Sequence, residues 1–150
     1  MNGLESRIIA WGQEGYCCSQ MMLLAGLAFR NSENPELIAS LEGLCKGGYE
    51  PSGTCGAFTG ACCLLGLYAG KGFPEKEKDI RLPLMLSQLH DWFREKWGTP
   101  GDTIMCGEIL KTLSGAPPLA CFPLVLETLA KTLEILEKQG FDLQEDPSYP

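Results

Sequence analysis

The chain has 150 residues, is 45% hydrophobic and carries a formal net charge of −7. That length suits one domain able to bury a sizeable core, and the apolar content excludes wholesale disorder. Twelve basic residues are scattered among nineteen acidic ones, which argues against nucleic-acid binding and against docking on an anionic membrane.

Helical periodicity dominates from end to end, and no convincing alternating strand interrupts it. Leu4, Ile8 and Trp11 mark a short first helix, broken by Gly12-Gln13-Glu14-Gly15. A second helix is expected from about Cys17 to Arg30, with Cys18, Met22, Ala25 and Phe29 on one face. Asn34-Pro35 is a cap followed by proline at the first helical position, opening a helix to about Leu44 that Gly47-Gly48 closes. A glycine-rich loop, 46–54, leads into an uncharged helix from about Thr54 to Gly70. Its strongly apolar part, 61–69, is too short for a membrane span, so it reads as a buried core helix.

Pro74 is expected to open a long charged helix with Leu82, Leu86, Leu89 and Phe93 inward and a bend or break at Pro83. After a turn at 98–101, Asp102 or Thr103 can cap a helix to about Leu113. The last helix carries Leu119, Phe122, Leu126, Leu129, Leu133 and Leu136 in a regular stripe and ends at Gly140. That stripe reads as core; the other use for it is a homodimer seam. The expected fold is an all-α, compact single-domain bundle of six to seven helices joined by short Gly/Pro turns, spanning 1–140, with 141–150 as a frayed tail.

Eight cysteines are the compositional oddity: Cys17, Cys18, Cys45, Cys55, Cys62, Cys63, Cys106 and Cys121. No C-x-x-C pair exists, which excludes thioredoxin motifs and zinc ribbons, and with His90 as the single histidine mixed Cys/His zinc sites are poor candidates. The N-terminal segment has neither the basic start nor the apolar run of a signal peptide, which points to the cytoplasm and to cysteines used for redox or metal chemistry instead of staples.

Cys18, Cys55, Cys106 and Cys121 each fall in or beside the first turn of an expected helix. Free N–H groups and the positive end of the helix dipole sit there and can lower a thiol pKa. Four such placements point to one pocket of thiolates. Against this, no Lys or Arg lies within six residues of Cys55 or Cys121, and burial alone would raise their pKa. Cys62 and Cys63, in mid-helix, read as packing residues, while Cys17 and Cys45 are open to either use. Gly56 and Gly60 form a small-residue stripe that lets another backbone come close and so could bring Cys18 or Cys106 to Cys55. His90-Asp91 reads as a boundary pair before it reads as an acid–base pair.

Tyr16-Cys17-Cys18-Ser19-Gln20, then Thr54-Cys55-Gly56-Ala57-Phe58-Thr59-Gly60-Ala61, then Cys106 and Cys121, resemble the C_GCAxxG_C_C family, named for redox activity. The resemblance runs from about Ser6 to Leu136. It implies that the four family cysteines are Cys18, Cys55, Cys106 and Cys121. It departs in reading Cys-Gly-Ala where the family name spells Gly-Cys-Ala, and in its four further cysteines.

Three functions follow. The first is thiol–disulfide exchange or electron relay, with Cys55 as nucleophile and Cys18 as resolver, serving a redox partner protein or a small thiol or oxidant. The second is a four-cysteine site (Cys18, Cys55, Cys106, Cys121) for zinc, iron or an iron–sulfur cluster. Its spacings of 37, 51 and 15 residues are unlike common metal modules. The third is a non-catalytic helical interaction module.

Overall fold

The computed structural model describes residues 2–145. It is all-α. Seven right-handed helices follow in order: α1 Asn2–Gln13, α2 Cys18–Phe29, α3 Pro35–Leu41, α4 Gly56–Ala69, α5 Arg81–Trp97, α6 Cys106–Thr112 and α7 Phe122–Lys138. Among the described residues no strand forms; two isolated antiparallel bridges, Thr54 with Met105 and Thr99 with Thr103, are the extent of β pairing. No helix of the described residues is long and apolar enough to cross a membrane.

α2 and α4 are the centre. Both are apolar on nearly every side, as a helix enclosed by others must be; Met22, Leu23, Ala25, Ala57, Ala61, Leu64 and Leu65 are all buried. α1 and α3 pack on α2, and α5 and α7 pack on α4. The axes of α2 and α4 come close because Gly56 and Gly60 present no side chain. A Cβ on Gly60 would stand 2.7 Å from the Ser19 Cα, and one on Gly56 would stand 2.7 Å from the Cys18 Sγ. On the opposite side of the crossing, Gly26 faces Leu64 and Leu67 in the same way.

Several expected boundaries move, each for a physical reason. The charged helix begins at Arg81, not at Pro74. Asp79 accepts a hydrogen bond from the Arg81 backbone N–H at 2.9 Å, which starts the helix there. Pro83 is then in the first turn, where its missing N–H breaks no intrahelical bond, so no mid-helix break is needed. The buried face of α5 is Met85, Leu89 and Phe93, with Leu82 and Leu86 half-buried. On α7 the stripe is rotated: Leu124, Val125, Thr128, Leu129, Thr132, Leu133 and Leu136 are buried, while Leu119 is 83% exposed. The reason is that α7 starts at Phe122, and Leu119 belongs to a separate 3-10 turn, Leu119–Cys121.

The tail is not frayed over its first residues. Phe141 is buried, its ring meets Tyr68 edge-on at 6.3 Å, and the Arg81 guanidinium covers it at 3.9 Å. The Tyr68 hydroxyl donates to the Leu143 carbonyl at 2.6 Å. Residues 146–150 of the expected tail lie outside the described residues.

Gly60→Ala should force α2 and α4 apart, because the new methyl meets backbone and cannot be accommodated by a rotamer change. The expected loss is about 1–3 kcal/mol of unfolding free energy, read from the urea midpoint. Gly66→Ala, whose Cβ meets nothing within 4 Å, is the control and should be neutral or stabilising.

A candidate thiol pocket

α1 ends at Gln13, and Gly15, with a φ of +93°, reverses the chain. Cys17 follows in extended conformation as the N-cap of α2, and its N–H donates to the Gln20 Oε1 at 3.1 Å. Gln20 also donates to the Ile38 carbonyl at 3.1 Å, and Ser19 Oγ donates to the Leu41 carbonyl at 2.8 Å. The first turn of α2 is thereby fixed to α3. The polar residues flanking Cys18 are thus buried anchors.

A covalent link reinforces them. Cys17 and Cys45 form a disulfide with their Cα atoms 5.9 Å apart. The sequence left both residues open, and nothing in a 28-residue separation marks them as partners. Their meeting depends on the α2–α3 packing just described. Ser19 Oγ lies 3.2 Å from the Cys17 sulfur and 3.6 Å from the Cys45 sulfur, over the bridge.

Beyond Cys45 the chain winds left-handed. Lys46, Gly47, Gly48 and Tyr49 have φ of 54°, 72°, 78° and 60°. Gly47 packs directly on Gly53, where a Cβ would meet the Gly53 carbonyl oxygen at 2.7 Å. The segment then pairs with the start of α6. Cys55 N–H donates to the Ile104 carbonyl at 2.9 Å, Cys106 N–H to Gly53 at 2.8 Å and Gly107 N–H to Pro51 at 2.8 Å. In the antiparallel bridge of Thr54 with Met105, Cys55 and Cys106 are diagonal neighbours on one face. One short bridge therefore launches α4 and α6 side by side.

The four cysteines singled out in the sequence stand at four helix starts. Cys18 opens α2, Cys55 caps α4, Cys106 opens α6 and Cys121 precedes α7. All four line one cavity of about 470 Å³, together with Lys46, Tyr49, Pro51, Ile109, Pro117 and Leu124 among others. Cys62 and Cys63 are elsewhere on α4, packed against the core. His90 is not in this lining; its ring meets Phe58 edge-on at 5.1 Å.

The thiols do not have the lowered pKa expected of helix starts. Burial pushes Cys55 up to about 12 and Cys121 up to about 11, and raises Cys18 and Cys106 as well. The neighbouring sulfurs add to this, since any thiolate formed there would repel the next. The N–H groups that should help are largely spent: those of Cys106 and Gly107 go to Gly53 and Pro51, and Pro123 at the start of α7 has none. Backbone N–H groups of Ala57 and Phe58 do reach Cys55, and those of Lys46 and Ser19 reach Cys18, but burial outweighs them. Cys106 differs in one respect: burial still raises it, but the Lys46 ammonium offsets part of the rise. Lys46 is the residue sequence reasoning missed. It is 60 positions from Cys106, so a search for nearby cations along the chain could not find it.

Among the described residues no group of three or more Cys, His, Asp or Glu side chains is arranged to hold a metal ion. The zinc or iron site therefore finds no ready ligand set in this arrangement.

The sequence model of the putative redox-active protein family C_GCAxxG_C_C matches residues 16–135. The chain belongs to the C_GCAxxG_C_C family. That match takes in all eight cysteines, the disulfide and every helix from α2 to α6, with most of α7. No curated protein and no solved structure matches the chain. Within this C_GCAxxG_C_C protein the motif glycines, Gly56 and Gly60, have the close-approach role: they seat Cys18 and Ser19 against α4.

Two predictions follow from the geometry. Replacing both Cys17 and Cys45 by serine should cost about 2–4 kcal/mol of stability, measured by chemical denaturation, and reductant should lower the wild type by a similar amount. Alkylation of the pocket thiols should climb about tenfold per pH unit through and above ~8.5, because only the thiolate reacts and burial keeps these groups protonated. A plateau near neutral pH, followed by mass spectrometry of each site, would contradict that burial effect.

Proposed function

We propose that the pocket is a thiol–disulfide redox centre in which Cys106 attacks and Cys18 resolves. The observation that carries this reading is the gathering of four free cysteines, from four separate helix starts, around one cavity. Family membership supports redox chemistry in general, and a disulfide, Cys17–Cys45, adjoins the pocket residues Cys18 and Lys46 in the chain.

Burial reassigns the nucleophile. Cys55, expected in that role, is only 7% exposed and its thiol is held up at about 12. Cys106 is half-buried and has the Lys46 cation to stabilise its thiolate. The Cys106 thiolate attacks one sulfur of a disulfide R–S–S–R. The Cys106–S–S–R bond forms, the R–S–S–R bond breaks, and R–S⁻ leaves and takes the proton given up by a second pocket thiol. That second sulfur, on Cys18, attacks Cys106 and expels the other R–S⁻, which is protonated from solvent. Two thiols become one disulfide and one substrate disulfide becomes two thiols.

Thiol counting after anaerobic reduction and one equivalent of a disulfide oxidant tests the proposal. Two thiols should disappear, both mapping to the pocket by peptide mass analysis, and Cys106→Ser should slow the loss at least tenfold. Full retention of all pocket thiols would overturn it. So would stoichiometric zinc or iron bound to unreactive thiols, which is the outcome the metal-site reading requires. Serine variants that alter stability alone would favour the interaction module.

A further inference from the structure

We propose that the pocket takes a small aliphatic disulfide bearing a carboxylate, and that Lys46 is the residue that reads the carboxylate. This rests on the thiol–disulfide reading above and names the substrate class for the same site.

Size is the first argument. None of the four thiols is exposed, and Cys55 is closed off almost entirely. Thiol–disulfide exchange needs the attacking sulfur in line with the bond it breaks. A disulfide held on the surface of a folded protein would have to insert into a recess of about 470 Å³ to reach that line. A recess of this size is within the range of small-molecule sites.

The walls are the second. Pro51, Ala57, Ile109, Leu110, Pro117 and Leu124 present an apolar surface. A disulfide has two soft apolar sulfurs that suit such walls. Its leaving thiolate needs only a proton, and the neighbouring thiols, held protonated by burial, have one to give.

Charge is the third. In a chain of net charge −7, the one charged residue in the lining is a cation, Lys46, and no carboxylate lines the cavity. Of the acids around the lining, Glu42 accepts the Tyr49 hydroxyl at 3.2 Å, Glu108 pairs with Lys111 at 3.0 Å, and Glu50, between Tyr49 and Pro51, is exposed and outside the lining. Lys46 Nζ stands 5.7 Å from the centre of the Tyr49 ring, at the mouth, and its field is felt at Cys106. A substrate whose carboxylate meets Lys46 would place its aliphatic part over the apolar wall and its sulfurs toward Cys106. The reaction is a two-electron exchange: one substrate S–S bond is reduced to two thiols as the Cys18–Cys106 bond forms.

The test uses the full chain, reduced anaerobically, in single-turnover mixing with four probes. These are a 1,2-dithiolane with a five-carbon carboxylate tail, the same compound as its neutral amide, cystine, and an uncharged aromatic disulfide. Loss of pocket thiols is followed by mass spectrometry. The carboxylate should oxidise the pocket at least tenfold faster than the amide, and cystine, which also carries carboxylates, should lose rate in Lys46→Met as the dithiolane carboxylate does. In Lys46→Met the carboxylate-to-amide ratio should fall to near one, and Lys46→Arg should restore most of it. Lys46 already has positive φ, so both replacements meet the same backbone demand. Equal rates for carboxylate and amide in the wild type, or a ratio unmoved by Lys46→Met, would overturn the substrate assignment while the redox centre stands. If no probe, the aromatic disulfide included, oxidises the pocket, the redox reading itself falls and the substrate assignment falls with it.

Discussion

The closeness of α2 to α4 is the constraint on which the rest depends. Two glycines on one helix accept the first turn of the other so tightly that no Cβ would fit between them. Helices with ordinary side chains at the crossing keep their axes about 8–10 Å apart or more. Here the approach sets Cys18 beside Cys55, buries Ser19 and Gln20 so that they must find carbonyl partners on α3, and holds Cys17 where Cys45 can reach it. Local stability and the assembly of the pocket are therefore the same interaction seen from two sides.

The behaviour of the thiols follows from competition between two effects of a helix N-terminus. The free N–H groups there favour an anion, but only if nothing else accepts from them first. At α6 the antiparallel bridge uses them, and at α7 proline removes one. Convergence of the four starts then buries the sulfurs and places them near each other, which costs any thiolate more than the remaining dipole returns. A site built this way holds its protons at neutral pH. The single lysine is itself exposed, so water screens part of its field and it offsets only part of the rise at Cys106.

Much of this was legible along the chain. Helical period, caps and turn residues place the helices, and the four helix-start cysteines follow from those placements alone. The Gly56/Gly60 stripe announces a close approach without saying to what. What could not be read is whatever joins distant segments. The Cys17–Cys45 bridge, the reach of Lys46 to Cys106 and the docking of Phe141 on Tyr68 and Arg81 are products of packing. Pro83 and Leu119 misled for a simpler cause. Each was assigned to a helix whose first residue was misplaced, and a shift of start changes what a proline costs and where a leucine points.

The left-handed turn after Cys45 has a consequence for conformational entropy. Four consecutive residues there adopt a hand that an L-amino-acid chain disfavours, two of them glycines that lose more freedom on ordering than any other residue. Such a segment would be expected to dominate local fluctuation. Its first residue, however, follows directly on a crosslinked cysteine, and its second is wedged against Gly53. The crosslink closes residues 17–45 and leaves the turn outside that loop, so it anchors the point where the turn begins and not the turn's own freedom. The mouth of the pocket is thus held at its two ends, by a covalent bond behind Lys46 and by backbone contact at Gly47.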